Sequence, residues 1–199
     1  KGIIANPNCS TAQLMPVLKA LHESAGLKRV VVSTYQSVSG SGKAGMDELK
    51  TVTQQDVSGQ EMDAPKSFQR PIAFNLIPHI DVFLKDDAVY GKDLDGYTKE
   101  EAKLICETRK ILGLPHLRIT ATAVRVPVMV GHSEAVTVEL ERPLAPGKAE
   151  RLLADTPDVS VTPGVENYPT PRETAGTDPV YVGRIRRDNS NPERGLNMW

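Results

Sequence analysis

Leu117-Arg118-Ile119-Thr120-Ala121-Thr122-Ala123-Val124-Arg125-Val126-Pro127-Val128-Met129-Val130, then Gly131-His132-Ser133, then Glu134-Ala135-Val136-Thr137-Val138-Glu139-Leu140-Glu141, is the stretch that decides the fold. Leu117 to Val130 is rich in valine and reads as a long strand, with Pro127 marking an edge, a bulge or a break. Glu134 to Glu141 alternates. Val136, Val138 and Leu140 face one way and Thr137, Glu139 and Glu141 the other, the pattern of a half-covered antiparallel strand. Strands joined by so short a turn, with helices interspersed, predict α+β architecture rather than a doubly wound sheet.

Upstream, Lys28 to Tyr35 carries Val30, Val31 and Val32 and reads as a buried strand. It runs into a flexible Gly/Ser loop, Gln36 to Gly45, and then a short helix from Met46 to Thr53. Residues 56–70 read as a surface excursion, and Pro71 to Phe83 as an apolar segment interrupted by Asn75, Pro78, His79 and Asp81. Thr98 and Glu101 form a capping box. The helix they start buries Leu104, Ile105, Ile111 and Leu112 and stops at Gly113 and Pro115. Downstream, Pro146 to Asp155 is a helix, 162–180 is proline-rich loop, and Tyr181 to Arg187 is a strand. The Gly-x-Gly-x-x-Gly turn that cradles dinucleotide phosphates is absent.

The 199 residues are 39% hydrophobic and 25% charged with a formal net charge of -1, an ordinary globular composition that points to neither nucleic acid nor a membrane as partner. No apolar run is long enough to span a bilayer, and the N-terminus does not resemble a secretory signal. Cys9 and Cys106 form no disulfide framework, so a cytoplasmic setting is expected. His22, His79, His116 and His132 lack metal-ligand spacing, so no metal is expected. The chain opens on a strand already under way and stops at Gly195-Leu196-Asn197-Met198-Trp199 without a closing element, which suggests a piece of something longer; a short chain with frayed ends is the alternative.

The chemistry concentrates near the start. Ile3-Ile4-Ala5 reads as the end of a buried strand and Asn6-Pro7-Asn8 as a turn. Leu14, Val17, Leu18 and Leu21 then recur at helical spacing, with Asn8, Ser10 and Thr11 able to cap. Cys9 falls where a helix begins, where free backbone N–H groups and the helix dipole are expected to lower a thiol pKa. A nucleophile and a small structural thiol both fit. His132, in the turn between strands, can serve such a thiol as acid and base, or be a surface residue. Arg125, on a valine-rich strand, must be paired or solvated, and its planar fork suits a carboxylate or a structural ion pair. Gln36 ends a buried strand and can aim an amide at a ligand. Glu100, Lys103, Glu107 and Lys110 form one helix stripe, which from spacing alone reads as a solvated face.

Five ordered segments resemble aspartate-β-semialdehyde dehydrogenase: Ile3 to Thr11, Ser33 to Gly42, Pro71 to Pro78, Glu107 to Leu112, and Val124 to Val128 followed by Gly131-His132-Ser133-Glu134. Gly183 to Asp188 extends the likeness near the end. The resemblance implies a mixed, largely antiparallel sheet with flanking helices, and the NADPH-dependent reversible conversion of L-4-aspartyl phosphate to L-aspartate 4-semialdehyde through a cysteine thioester, on the route to lysine, threonine and methionine. It makes Cys9 the nucleophile and His132 the acid/base. Gln36 would orient substrate, Arg125 would grip its α-carboxylate, Glu100 would meet its ammonium, Lys103 the phosphate, and Ser39 and Gly40 the NADP. The resemblance gives that role to Glu100 rather than Glu101, which agrees with the capping box already occupying Glu101.

On this likeness residues 1–199 are the catalytic and dimerisation domain, forming a homodimer through the sheet. The family's nucleotide-binding domain, a phosphate-binding arginine from it and the closing Asn-Leu-Arg-Lys-Gly-Ala type segment are absent, so the fragment alone is expected to be inactive. N-acetyl-γ-glutamyl-phosphate reductase, which shares the thioester chemistry, and a non-catalytic dimerisation module are the alternatives.

Overall fold

A computed structural model describes residues 2–199. Helix α1 (Cys9–Ala25) runs into the central strand β1 (Leu27–Gln36), a 3₁₀ turn (Val38–Ser41) and α2 (Gly42–Val57). A long irregular segment leads to α3 (Lys99–Leu112), β2 (Arg118–Arg125) and β3 (Ser133–Leu140). Then come α4 (Pro146–Ala154), β4 (Val159–Val161), α5 (Pro171–Thr174), β5 (Val180–Val182), β6 (Arg186–Arg187) and β7 (Gly195–Met198).

The main sheet has the order β2-β1-β3-β7-β6, with β1 parallel to β2 and the other neighbours antiparallel; β4 and β5 pair separately. The chain is therefore α+β. However, β2 and β3 do not pair with each other. Both pair with β1, which slots between them, because its valines fill the apolar centre that neither flanking strand could close alone.

Val30, Val32, Ile119, Val136, Val138 and Leu140 are buried on one face of the sheet against α1, α3 and α4. Val136, Val138 and Leu140 thus belong to the core. Pro16 lies inside α1, where proline costs roughly 3 kcal/mol. Full burial of Leu14, Val17, Leu18 and Leu21, at roughly 1.5–3 kcal/mol each, outweighs it and the helix continues. The opposite sheet face presents Arg29, Val31, Tyr35, Thr137, Glu139 and Asn197, all exposed or half-buried. A second small core gathers Val38, Leu49, Val52, Phe68, Ile72 and Ile77 beneath α2.

Several expectations fail here. Ile3-Ile4-Ala5 is not a strand, and Ile3 and Ile4 are exposed, since no described segment pairs with them. The Gly/Ser loop is ordered into the 3₁₀ turn and the first turn of α2, which is twice the length read from its sparse apolar spacing. The strand expected over 117–130 ends at Arg125, where Pro127 removes a ladder donor. Ile111 is exposed. Tyr181 to Arg187 splits into β5 and β6 around Arg184 at φ 54°. The terminal Gly195–Met198, taken as lacking a closing element, is a strand paired on both sides.

Candidate active site

One end of the sheet collects the polar residues. Parallel register sets Gln36 beside Arg125 where both strands finish, and antiparallel register sets Ser133 beside Tyr35, so His132 enters from the same end. Gln36 and Arg125 fall on the inward alternation and are buried. The Arg125 backbone is clamped to Ile77 by two hydrogen bonds of 2.9 and 3.0 Å, and its guanidinium lies 6.0 Å from the centre of the Phe68 ring. The second core therefore positions the arginine. Its Nη1 donates to the Ser37 carbonyl at 2.7 Å.

Helix α1 starts at this end. Asn8 Oδ1 accepts from the N–H groups of Ser10 (3.0 Å) and Thr11 (3.3 Å), which makes Asn8 the N-cap and Cys9 the first helical residue. His132 Nε2 lies 3.2 Å from Cys9 Sγ, and Gln36 Nε2 lies 3.9 Å from it. Helix α3 also begins here. Thr98 and Glu101 exchange the capping-box hydrogen bonds at 2.7 and 3.3 Å, and the other Glu101 oxygen accepts from Ala123 N–H at 2.9 Å.

Glu100 is left to turn into the site. Its Oε1 accepts from Gln36 Nε2 (2.9 Å) and Asn8 Nδ2 (2.8 Å), and its Oε2 lies 3.4 Å from Lys103 Nζ. Lys103 also donates to Asp81 at 3.0 Å, and Glu107 accepts from the Asn8 N–H at 2.7 Å. The solvated stripe expected on α3 survives only at Lys110. The start of α1 lies across the rest, a contact that spacing along α3 cannot reveal.

The electrostatics reverse one expectation. Cys9 keeps an exposed side, but its thiol pKa is raised, chiefly by the desolvation of the sulfur among its neighbours and then by the Glu100 charge. The N–H groups of Ser10 and Cys9 and the charge of Arg125 pull the other way and lose. A helix start lowers a thiol pKa only where desolvation and nearby negative charge do not outweigh it, and here desolvation is the larger of the two. Burial, then Arg125, hold His132 down at about 4, against the pull of Glu100. Burial also lowers the Arg125 pKa, opposed by Glu100 and Cys9, and the guanidinium remains charged. For Lys103 burial disfavours the charge, but the hydrogen bond it donates to Asp81 and the Glu100 charge outweigh it and the pKa rises.

Ser39 and Gly40 occupy the 3₁₀ turn beside this cluster. A Cβ on Gly40 would come within 2.9 Å of Arg125 Nη1 and 3.5 Å of the His132 ring, so a side chain there would push the guanidinium from its place. All eight candidate residues thus converge on one end of the sheet. Sequence reasoning missed four others: Ser37 behind His132, Asp81, Glu107 and Glu134. Asp81 broke an apolar run and sits at φ 68°, the one signal that could have found it. Glu134 is fully buried, accepts from Gln13 Nε2 at 2.7 Å, and burial pushes its pKa up to about 8.

A cysteine on a histidine, beside an amide, a carboxylate, an ammonium and a buried arginine, is an arrangement that can support acyl transfer through sulfur. Residues 18–199 match the semialdehyde dehydrogenase dimerisation domain, and the chain belongs to the semialdehyde dehydrogenase family. Its relatives carry a more particular name. It is 47% identical over its full length to 56% of an aspartate-semialdehyde dehydrogenase from Aquifex aeolicus. It is similar to aspartate semialdehyde dehydrogenase II from Vibrio cholerae solved as a complex with ASA, at 42% identity and a TM-score of 0.90, covering 99% of this chain and 55% of that one. It shares the fold of an aspartate semialdehyde dehydrogenase from Candida albicans solved with NADP, at 24% identity and a TM-score of 0.66, covering 99% of this chain and 52% of that one. The chain therefore spans about half the length of the relatives it matches.

Proposed function

We propose that the full-length protein containing this chain is an aspartate-semialdehyde dehydrogenase, converting L-4-aspartyl phosphate and NADPH reversibly to L-aspartate 4-semialdehyde, NADP and phosphate. The 3.2 Å contact between Cys9 Sγ and His132 Nε2 carries this reading. Cys9 gives its proton to His132 Nε2 as its sulfur attacks the acyl carbon, the carbon–oxygen bond to phosphate breaks, phosphate leaves, and the acyl group stays on sulfur as a thioester. NADPH, when bound, supplies the hydride that reduces it. His132 gives a proton to the oxygen that develops on that carbon, then takes it back as the aldehyde departs and the sulfur is freed.

The charges of the site fit those of the substrate. Arg125 is suited to the α-carboxylate, Glu100 to the ammonium and Lys103 to the phosphate, with Gln36 orienting the acyl group over sulfur. Glu100 separates this reading from N-acetyl-γ-glutamyl-phosphate reductase, because an acylated nitrogen brings no positive charge to a buried carboxylate. Ser39 and Gly40 would hold part of the NADP, since Gly40 is exposed and leaves the His132 face uncovered. In this reading residues 1–199 are the catalytic and dimerisation domain, and residues outside them bind most of the dinucleotide. Self-association of two copies through the outer sheet face, a role in lysine, threonine and methionine synthesis, and a cytoplasmic setting complete it. Among the described residues no helix is long and apolar enough to cross a membrane.

The test is NADPH formation by the full-length protein from L-aspartate semialdehyde, phosphate and NADP, against N-acetylglutamate semialdehyde as competitor substrate. Preference for the acetylated aldehyde would replace this reading with the reductase. The isolated 199 residues should self-associate in sedimentation but turn over negligibly, since hydride transfer needs a positioned nicotinamide.

A further inference from the structure

The chemistry proposed for His132 uses Nε2, while Nδ1 faces Ser37. The Ser37 backbone N–H lies 3.1 Å from Nδ1 and its hydroxyl oxygen 3.0 Å from it. A backbone N–H can only donate. It satisfies Nδ1 while that nitrogen holds a lone pair, which places the single ring proton on Nε2, aimed at the Cys9 sulfur. That is the resting tautomer, and it cannot act as a base towards Cys9. For Nε2 to take the Cys9 proton, the ring must carry its other proton on Nδ1, before the transfer and after it. Nδ1 then needs an acceptor, which the N–H cannot be.

The Ser37 hydroxyl can be that acceptor. Its own hydrogen must then go elsewhere, and Ser39 Oγ lies 2.9 Å away in a pairing where either oxygen can donate. Ser37 is fully buried, so water does not substitute. The other groups facing the ring are Cys9 from α1, Arg125 from β2 and Glu100 from α3. Arg125 opposes a charged ring and only Glu100 favours it. Hydrogen bonding at Nδ1 is the remaining source of support.

We propose that Ser37, backed by Ser39, is a hydrogen-bond switch behind His132 and a positioning residue for its proton transfers. The backbone N–H holds the resting tautomer and the hydroxyl pair holds the working one; in passing between them Nε2 gives its proton to solvent and Nδ1 takes one from Ser37 Oγ, which Ser39 and then solvent replenish. In the working step the Cys9 S–H bond breaks and an Nε2–H bond forms, giving thiolate and imidazolium, while Nδ1–H donates to Ser37 Oγ and Ser37 O–H donates to Ser39. This rests on the acid–base role of His132 proposed above.

The test uses the full-length protein with Ser37→Ala, Ser37→Thr and Ser39→Ala. Nitrogen-15 NMR of labelled histidine reads the charged fraction of His132 as pH falls within the range where the fold persists. A hydrogen bond to a charged group supports that form by about one pH unit, so Ser37→Ala should cut the charged fraction at a given acid pH roughly ten-fold. It should lower kcat by a similar factor with KM little changed. Ser37→Thr, which keeps the hydroxyl, should restore both, and Ser39→Ala should fall between. A folded Ser37→Ala or Ser39→Ala protein with wild-type His132 titration and kcat would overturn the proposal. If the protein fails to oxidise the semialdehyde at all, the functional reading falls, while the NMR titration still decides the role of Ser37.

Discussion

Cys9 and His132 stand 123 residues apart in the chain, and Sγ of the one lies 3.2 Å from Nε2 of the other. Helix α1 delivers one through its first residue and the entry to β3 delivers the other. The sheet between them sets the distance.

Replacing either member in the full-length protein should separate their roles. Cys9→Ala should abolish turnover, because no other side chain at the site can carry an acyl group on sulfur. His132→Asn should keep slow acylation and lose roughly 10²–10⁴ in kcat, the usual share of acid–base catalysis. Steady-state rates and acyl-enzyme trapping would check both, and near-normal turnover by either variant would contradict the assignment.

Iodoacetamide should label Cys9 before Cys106, because Cys9 is exposed and Cys106 is half-buried with a thiol pKa also raised, chiefly by burial. Labelling of Cys9 should be slow at pH 7 and quicken steadily as the pH is raised. Glu100→Gln should speed it several-fold at pH 8, since removing a negative charge favours the thiolate. Mass spectrometry after timed quenching would read both, with an unchanged rate in Glu100→Gln counting against the electrostatic account.

Glu134 should make the fold sensitive to alkali. Its folded pKa of about 8 lies above the ordinary 4.5, so its contribution is complete below pH 4.5 and fades as pH rises through 8. Glu134→Gln keeps an acceptor for Gln13 and removes the buried charge. It should therefore stabilise the protein above neutral pH, on the order of a few kcal/mol at pH 8–9, and flatten stability between pH 4.5 and 8. Denaturant midpoints across pH would show this, and a variant no more stable at pH 9 would refute it.

Thr98→Ala should cost about 1 kcal/mol of stability, the usual worth of an N-cap. It should also disturb Glu100 by loosening the first turn of α3, which thermal melts and the KM for semialdehyde would report together. A stability loss with KM unmoved would mean that Asn8, Gln36 and Lys103 hold Glu100 without help from the cap.

Local rules read much of this molecule correctly. Apolar spacing located α1 and α3, alternation located β3 with its buried face, and the capping box at Thr98 both started α3 and freed Glu100 from duty at Glu101. Errors gathered where partners lie far along the chain. Ile3 to Ala5 had strand character and no described neighbour, whereas Gly195–Met198 had little and gained two.

The difference is one of range. Caps, helical periodicity and turn chemistry act over a few residues through backbone geometry, so the sequence alone determined the helices, the alternating faces and, through ordered motifs, the set of candidate residues. Their meeting was decided by the tertiary structure, in the register that sets Gln36 beside Arg125 and in the crossing of α1 over α3. So was the sign of the Cys9 shift. Proximity to a helix start is local, but the burial and the Glu100 charge that overrule it are sums over groups brought together only by folding.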